Sequence, residues 1–297
     1  MNNIAKVFIV GGTHGNEKIG AYLVNNLSKE LVKNQYSFPV ETIIANPKAL
    51  RRKERYIDAD LNRLFKTTEL EDLDKSTYEH ERARVINNIL GPKGDNNNFM
   101  IDLHTTNSNM GLTIMTPHRS PFKLNMLYYI AQRVDNVNIY FSKASVDRPS
   151  LNSVTKGSFL IEVGGVANNT LKADVYFSMK ELIHYALEFI EKHQIGELEL
   201  DMNLELEGYQ SAGPIPYPTD ENGELLGMIH PDIQDQDLKK FIKKGDPIFK
   251  LFTGEDILFD KEGEYLMAFI NESDYYVENV AFYLIDEVKV SASEIMQ

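Results

Sequence analysis

Apolar runs and helical stripes alternate along the first two-thirds of the chain. Val7-Phe8-Ile9-Val10 is a short apolar run closed by Gly11-Gly12, which predicts a buried strand. Ile19, Leu23, Leu27 and Leu31 then recur at spacing four and predict an amphipathic helix. Glu41 to Ala45 reads as a second strand, stopped by Asn46-Pro47. Ser76-Thr77-Tyr78-Glu79 has the form of a capping box opening a helix to Leu90, with Gly91-Pro92 as its stop. Phe99–Leu103 and Phe159–Val163 are further buried strands, Ser120-Pro121 caps another helix, and Ala173 to Lys192 is a long amphipathic one. Strands alternating with helices predict an α/β layer fold with a parallel or mixed sheet.

The texture changes after His193. Glu197 to Glu207 alternates acid with leucine or methionine at period two, which predicts a strand. A turn at Asp220-Glu221-Asn222-Gly223 and strand-like runs at Pro247–Phe252, Tyr265–Ile270 and Val280–Ile285 follow. The pattern divides the chain into an α/β domain over 1–197 and a smaller β-rich domain over 198–297.

Composition narrows the chemistry. The 297 residues contain no cysteine, which excludes disulfides, thiolate metal sites and a cysteine nucleophile. That usage suits a reducing cytosol, and the expectation is a cytoplasmic protein. The net charge of −13 argues against a nucleic-acid binder, so an anionic substrate has to be met by local cations. No apolar stretch is long enough for a signal-peptide core or a membrane span, and no membrane partner is expected.

Of the seven histidines, His14 and His104 stand just past the ends of apolar strand runs. Side chains at strand carboxyl ends line the ligand crevice of an open α/β sheet. His14 is followed by Glu17, a His-x-x-Glu spacing that lets imidazole and carboxylate converge across one turn. Two histidines and a glutamate are a catalytic zinc set with a position left for water. The same spacing also arises by chance.

Glu162 is an acid inside the strand run Phe159–Val163. It is either an edge-strand acid facing solvent or a general base toward water at a metal, because an unpartnered buried carboxylate is costly. Arg55-Tyr56 and Asp58-Ala59-Asp60-Leu61-Asn62-Arg63 pack polar groups into a segment with no helical face. Arginines there can hold a substrate carboxylate or polarise a scissile carbonyl, although surface loops also look like this.

The segments GGTHGNE (11–17), RYIDADLNR (55–63), DLHTTNSNMG (102–111) and IEVGG (161–165) resemble those of the aspartoacylase family of zinc carboxypeptidase-like deacylases. HPDIQDQD (230–237) and Asn271-Glu272 through Tyr275-Tyr276 resemble it too, so the likeness spans nearly the whole chain. It implies a mixed sheet flanked by helices, and a C-terminal β-rich domain that narrows the active-site entrance. It implies His14, Glu17 and His104 as ligands of one Zn²⁺ per chain, and Glu162 as the general acid/base. Arg55 matches the arginine that polarises the acyl carbonyl, and Asn62 with Arg63 matches the pair that binds the α-carboxylate. Tyr275 matches a tyrosine entering the site from the C-terminal domain. A homodimer is also implied.

The chain departs from the family at three points. Asn152 stands where the family has an arginine, ten residues before the glutamate, that reads the substrate's side-chain carboxylate. The stretch from Pro149 to Glu162 is shorter, and Thr105 follows His104 in place of asparagine. A related aminoacylase that takes N-acyl aromatic amino acids also lacks that arginine. Unless Arg148 or Lys156 reaches in, preference for aspartate over asparagine is expected to be modest. The expected activity is hydrolysis of N-acetyl-L-aspartate to acetate and L-aspartate. The alternatives are an aminoacylase for other N-acyl amino acids, a small metallocarboxypeptidase, and a non-catalytic binding protein. The 100 residues from 198 to 297 argue against the open cleft a carboxypeptidase needs.

Overall fold

The computed structural model describes residues 3–31, 36–142 and 147–293. Its elements run β1 (Val7–Gly11), α1 (Lys18–Leu31), β2 (Val40–Ile44), α2 (Pro47–Arg52), α3 (Thr67–Glu71), α4 (Tyr78–Leu90), β3 (Phe99–Thr105), β4 (Leu112–Thr116), α5 (Pro121–Ala131), β5 (Val137–Phe141), β6 (Gly157–Val163) and α6 (Ala173–Gln194). Seven further strands follow: β7 (Glu205–Ile215), β8 (Gly227–Ile229), β9 (Ile242–Lys243), β10 (Pro247–Leu251), β11 (Asp256–Leu258), β12 (Glu264–Ala268) and β13 (Phe282–Ser291).

Ten strands form one mixed sheet in the order β2-β1-β3-β6-β4-β5-β7-β13-β12-β9, and β11-β10-β8 form a second. The centre β2-β1-β3-β6 is parallel, and β4 runs antiparallel to β6. A β5–β7 pairing through Tyr140 and Tyr209 carries the sheet into the β-rich part of the chain. β1 and β3 are buried along their whole length, as continuous apolar runs covered on both faces should be. Val7 and Ile9 pack in the core beneath Ile19, Leu23, Phe189 and Ile190, while Phe8 and Val10 pack with Leu61, Phe65, Ile86 and Leu90. The side chain of Leu31 lies outside the described residues. No described helix is long and apolar enough to cross a membrane.

Two expected elements differ. The Ser76–Glu79 box does not form: α4 begins at Tyr78, with Thr77 at its N-cap making no side-chain cap bond. Glu79 is instead fully buried and accepts from Asn46 Nδ2, Ile57 N, Asp58 N and Ala59 N. Four donors on one carboxylate outweigh a single capping bond. The strand expected from Glu197 starts only at Glu205. Leu198 and Leu200 do pack on the core, but the Asn125 side chain satisfies both the amide and the carbonyl of Asp201 where a neighbouring strand would. Five short strands, β4, β5, β8, β9 and β11, carry no pattern strong enough to announce them.

Candidate active site

The parallel register fixes the centre. His104 on β3 lies opposite Glu162 on β6, and Glu162 lies opposite Thr113 on β4. Glu162 is therefore on an interior strand, which removes the edge-strand reading. β1 ends at Gly11, and the turn that follows carries His14 and Glu17 toward the same end of the sheet. That turn needs glycine at 15, because an added Cβ would fall onto the carbonyl carbon of Ala49 and the amide of Leu50 in α2.

His14, Glu17 and His104 are all buried, and one ligand atom from each lies within 4.8 Å of the others. Glu17 meets His14 Nδ1 through Oε1 at 2.5 Å and His104 Nδ1 through Oε2 at 3.0 Å. His14 Nε2 meets Asp60 at 3.1 Å, and His104 Nε2 lies 3.1 Å from Asp102 as a close charge contact. A carboxylate near the outer nitrogen of each ring favours the proton on Nε2, so that Nδ1 can serve a metal, an arrangement found in histidines that hold one. Asp102 is itself held by the Thr13 hydroxyl at 3.1 Å. The donor set suits zinc, which takes nitrogen and carboxylate oxygen and keeps a position open.

Electrostatics follow from this packing. Burial works most strongly against the charged imidazole of His14, with Arg55 adding to it, but Glu17 and Asp60 together outweigh them and the pKa is raised. For His104, burial is overcome by Asp102 and Glu17, and the rise is larger. Burial disfavours the Glu17 carboxylate, yet the two imidazoles hold its pKa far below the usual carboxylate range. Glu162 goes the opposite way. It keeps some exposure through the cleft, but burial of its carboxyl pushes it well above the usual value and His104 only partly offsets that.

The loop from Arg55 to Arg63 is shaped by the Glu79 carboxylate beneath it. Asp60 receives Arg55 Nε at 3.3 Å and Nη2 at 3.0 Å, so the guanidinium is clamped along one edge. Its Nη1 lies 3.5 Å from Glu17 and pairs with Asp274. Asn62 accepts from Leu151 N through Oδ1 at 2.8 Å, which leaves its NH₂ as a donor. Arg63 Nη2 pairs with Glu278 at 3.0 Å. Tyr275 packs edge-on to Phe269 and Tyr283, and burial raises its phenol well above the ordinary value.

A cavity of about 120 Å³ brings together His14, Glu17, Arg55, Asn62, Arg63, His104, Glu162 and Tyr275. Asn152 does not line it. A second cavity of about 260 Å³ shares Asn62, Arg63, Met115 and Leu160 with the first and is closed by Arg148 and Asn152. Lys156 is exposed and lines a different cavity with His118 and Lys123. Of the two cations considered for the position of the missing arginine, only Arg148 borders the site.

Four acids in this region were not read as site residues. Asp102 could have been found, because it lies two residues before His104 on a strand and so shares its face. Asp60 lay inside the polar segment already singled out. Glu272 and Asp274 gave no spacing signal: they enter from a turn that begins at Glu272, more than 160 residues beyond His104. Glu272 accepts from Thr106 Oγ1 and Ser108 N, and burial followed by repulsion from Asp274 pushes its pKa up to about 7.

Comparison with known proteins gives the family. Residues 3–190 match the succinylglutamate desuccinylase/aspartoacylase catalytic domain, and residues 204–287 match the AstE/AspA barrel-sandwich hybrid domain. A probable aspartoacylase of Trichodesmium erythraeum is 38% identical over 96% of this chain and 97% of its own. The N-acyl-aromatic-L-amino acid amidohydrolase (carboxylate-forming) of Mus musculus is 32% identical over 99% of this chain and 94% of its own. The crystal structure of murine aminoacylase 3 superimposes with a TM-score of 0.90 at 31% identity, covering 98% of both chains. With both parts of the chain matched and its relatives spanned almost end to end, the protein is a member of the succinylglutamate desuccinylase/aspartoacylase family.

Proposed function

We propose that this protein is a zinc-dependent deacylase that hydrolyses short N-acyl amino acids, N-acetyl-L-aspartate foremost, to a carboxylate and the free amino acid. The observation that carries this is the juxtaposition of the His14–Glu17–His104 donor set with the carboxyl of Glu162 in one cavity. His14, Glu17 and His104 would hold the zinc. The chemistry that ion supplies when bound is Lewis acidity, which acidifies water toward neutral pH and draws electron density from an amide carbonyl.

The chain's own groups do the rest. Glu162 takes a proton from water as the water oxygen bonds to the acyl carbon. The same carboxyl returns that proton to nitrogen as the C–N bond breaks, so the amine leaves neutral. Arg55, fixed along one edge by Asp60, offers Nη1 to the developing oxyanion in exchange for Asp274. The Asn62 amide and Arg63 bind the α-carboxylate, since a donor-only NH₂ and a guanidinium both suit an anion. Tyr275, kept neutral, donates its hydroxyl from the C-terminal domain at 198–297, which narrows the entrance to small substrates.

Two amino-acid classes compete for the substrate, because relatives named for aspartate and for aromatic amino acids are both similar to this chain. Glu162→Gln tests the mechanism. The variant should still bind about one zinc per chain, measured by plasma emission spectroscopy, and lose at least ~100-fold in kcat. Near wild-type turnover in that variant contradicts the general-base role.

A further inference from the structure

The second cavity contains a cation with no counter-charge. Arg148 is half-buried, and among the described residues no carboxylate lies within ion-pair distance of it, although the chain carries 44 acids. Its neighbour Asp147 turns away to Lys93 at 2.6 Å and to Thr67 N. The guanidinium is oriented instead by a neutral group: Arg148 Nη1 donates to Asn152 Oδ1 at 3.2 Å, and Ser150 Oγ donates to the same oxygen at 2.8 Å. Asn152 is itself fixed, 4% exposed, with its backbone carbonyl accepting from Ser158 Oγ at 2.6 Å.

The surroundings keep the charge uncompensated. Lys123 is buried, donates to the neutral carbonyl of Ser158 at 2.6 Å and has no carboxylate partner among the described residues. The pKa of His118 falls to about 4 through burial and the positive charges of Lys123 and Arg148, which places all three in one field. Glu17, Glu162, Glu272 and Asp274 line the first cavity together with Arg55, whereas the charged side chains lining the second are Arg63, which pairs with Glu278, and Arg148. A desolvated guanidinium without a partner is costly, and a carboxylate entering from the substrate relieves that cost with charge-assisted hydrogen bonds.

We propose that Arg148, oriented by Asn152, is the specificity-determining cation that reads an acidic side chain on the substrate's amino-acid part. This rests on the deacylase reading. An arginine at 148 then supplies the charge that position 152 lacks, from four residues earlier in the chain, and Asn152 is a positioning residue. Met115 and Leu160 supply apolar lining to the same pocket, and the acidic side chain expected there is a short one such as that of aspartate or glutamate.

The test compares N-acetylaspartate with N-acetylasparagine, which differ in charge but hardly in shape. Zinc-loaded wild type, Arg148→Gln, Arg148→Lys and Asn152→Asp are assayed for kcat/KM on both, with N-acetyltyrosine as a third substrate. Calorimetry measures binding of L-aspartate and L-asparagine to the same proteins. The wild type should favour the aspartyl substrate by about tenfold or more, as one charge-assisted bond allows. Arg148→Gln should bring the ratio to within about twofold, Arg148→Lys should keep part of the preference, and Asn152→Asp should lower it by giving Arg148 a resident counter-charge. The binding ratio should follow the same order. An aspartyl-to-asparaginyl ratio unchanged in Arg148→Gln, with turnover of any N-acyl amino acid intact, overturns the role of Arg148 and leaves the deacylase reading standing. Turnover of none of the three substrates by folded, zinc-loaded wild type overturns that reading, and the role of Arg148 with it.

Discussion

Glu79 lies outside the cleft, yet the loop that carries Arg55, Asn62 and Arg63 depends on it. Its Oε1 accepts from Asn46 Nδ2 at 3.1 Å and Ile57 N at 2.7 Å, and its Oε2 from Asp58 N at 2.9 Å and Ala59 N at 3.2 Å. Glu79→Gln preserves the shape but leaves one oxygen, so two of the four donors meet an NH₂ in place of an acceptor. A hydrogen bond to a charged group contributes about 1.5–3 kcal/mol, and losing two gives roughly 3–6 kcal/mol. Water reaching the half-buried amides of the loop brings the expected cost toward the lower end. At roughly 2–4 °C per kcal/mol, the melting temperature should fall by about 6–12 °C. Scanning calorimetry of the zinc-loaded protein measures this. Since Arg55, Asn62 and Arg63 ride on the loosened loop, KM for the N-acyl amino acid should rise with it. A melting temperature within about 1 °C of wild type, with unchanged KM, refutes the reasoning.

Gly15→Ala, between His14 and Glu17, drives a methyl group into the α2 backbone; overpacking of this kind costs about 1–3 kcal/mol or more, and zinc content after dialysis should drop alongside the melting temperature. Asn62→Asp keeps the acceptor for Leu151 N but replaces the donor with a charged oxygen, so steady-state kinetics should show KM raised about tenfold or more with the melting temperature little changed. His118 has a native pKa near 4 against about 6.5 unfolded, so the unfolded chain binds the extra proton first and stability is lost as pH falls from about 6.5 to 4. In His118→Gln the melting temperature should decline less steeply across that window, and an unaltered slope would show that His118 does not contribute to it.

How much could be read from the sequence depended on whether the signal was local. The apolar runs at β1, β3 and β6 are covered on both faces, so hydrophobicity alone marked them; their carboxyl ends placed His14 and His104 at one end of the sheet, while Glu162 stood out as an acid inside such a run. Glu79 was misassigned because a capping box and a buried acceptor share one local pattern, and only the distant amides of residues 57–59 distinguish them. Asp274 and Glu272 reach the cleft by tertiary folding alone. Position 152 stood out as a missing charge only through the resemblance to the family. Its replacement was not legible, because choosing between Arg148 and Lys156 requires knowing that Leu151–Ser153 forms a tight 3₁₀ turn beside the pocket and that Lys156 lies past it on another surface.

The central claim is that His14, Glu17, His104 and Glu162 together hydrolyse an N-acyl amino acid, and a rate comparison on the intact protein tests it most directly. Purified chain reconstituted with one equivalent of zinc is given N-acetylaspartate, N-acetylglutamate and N-acetyltyrosine, and free amine release is followed before and after chelation. Turnover of at least one substrate is expected, fastest for the aspartyl compound, abolished by chelator and restored by zinc. Folded protein holding its zinc that releases no amine from any of the three, or that works equally well after the metal is stripped, would contradict it.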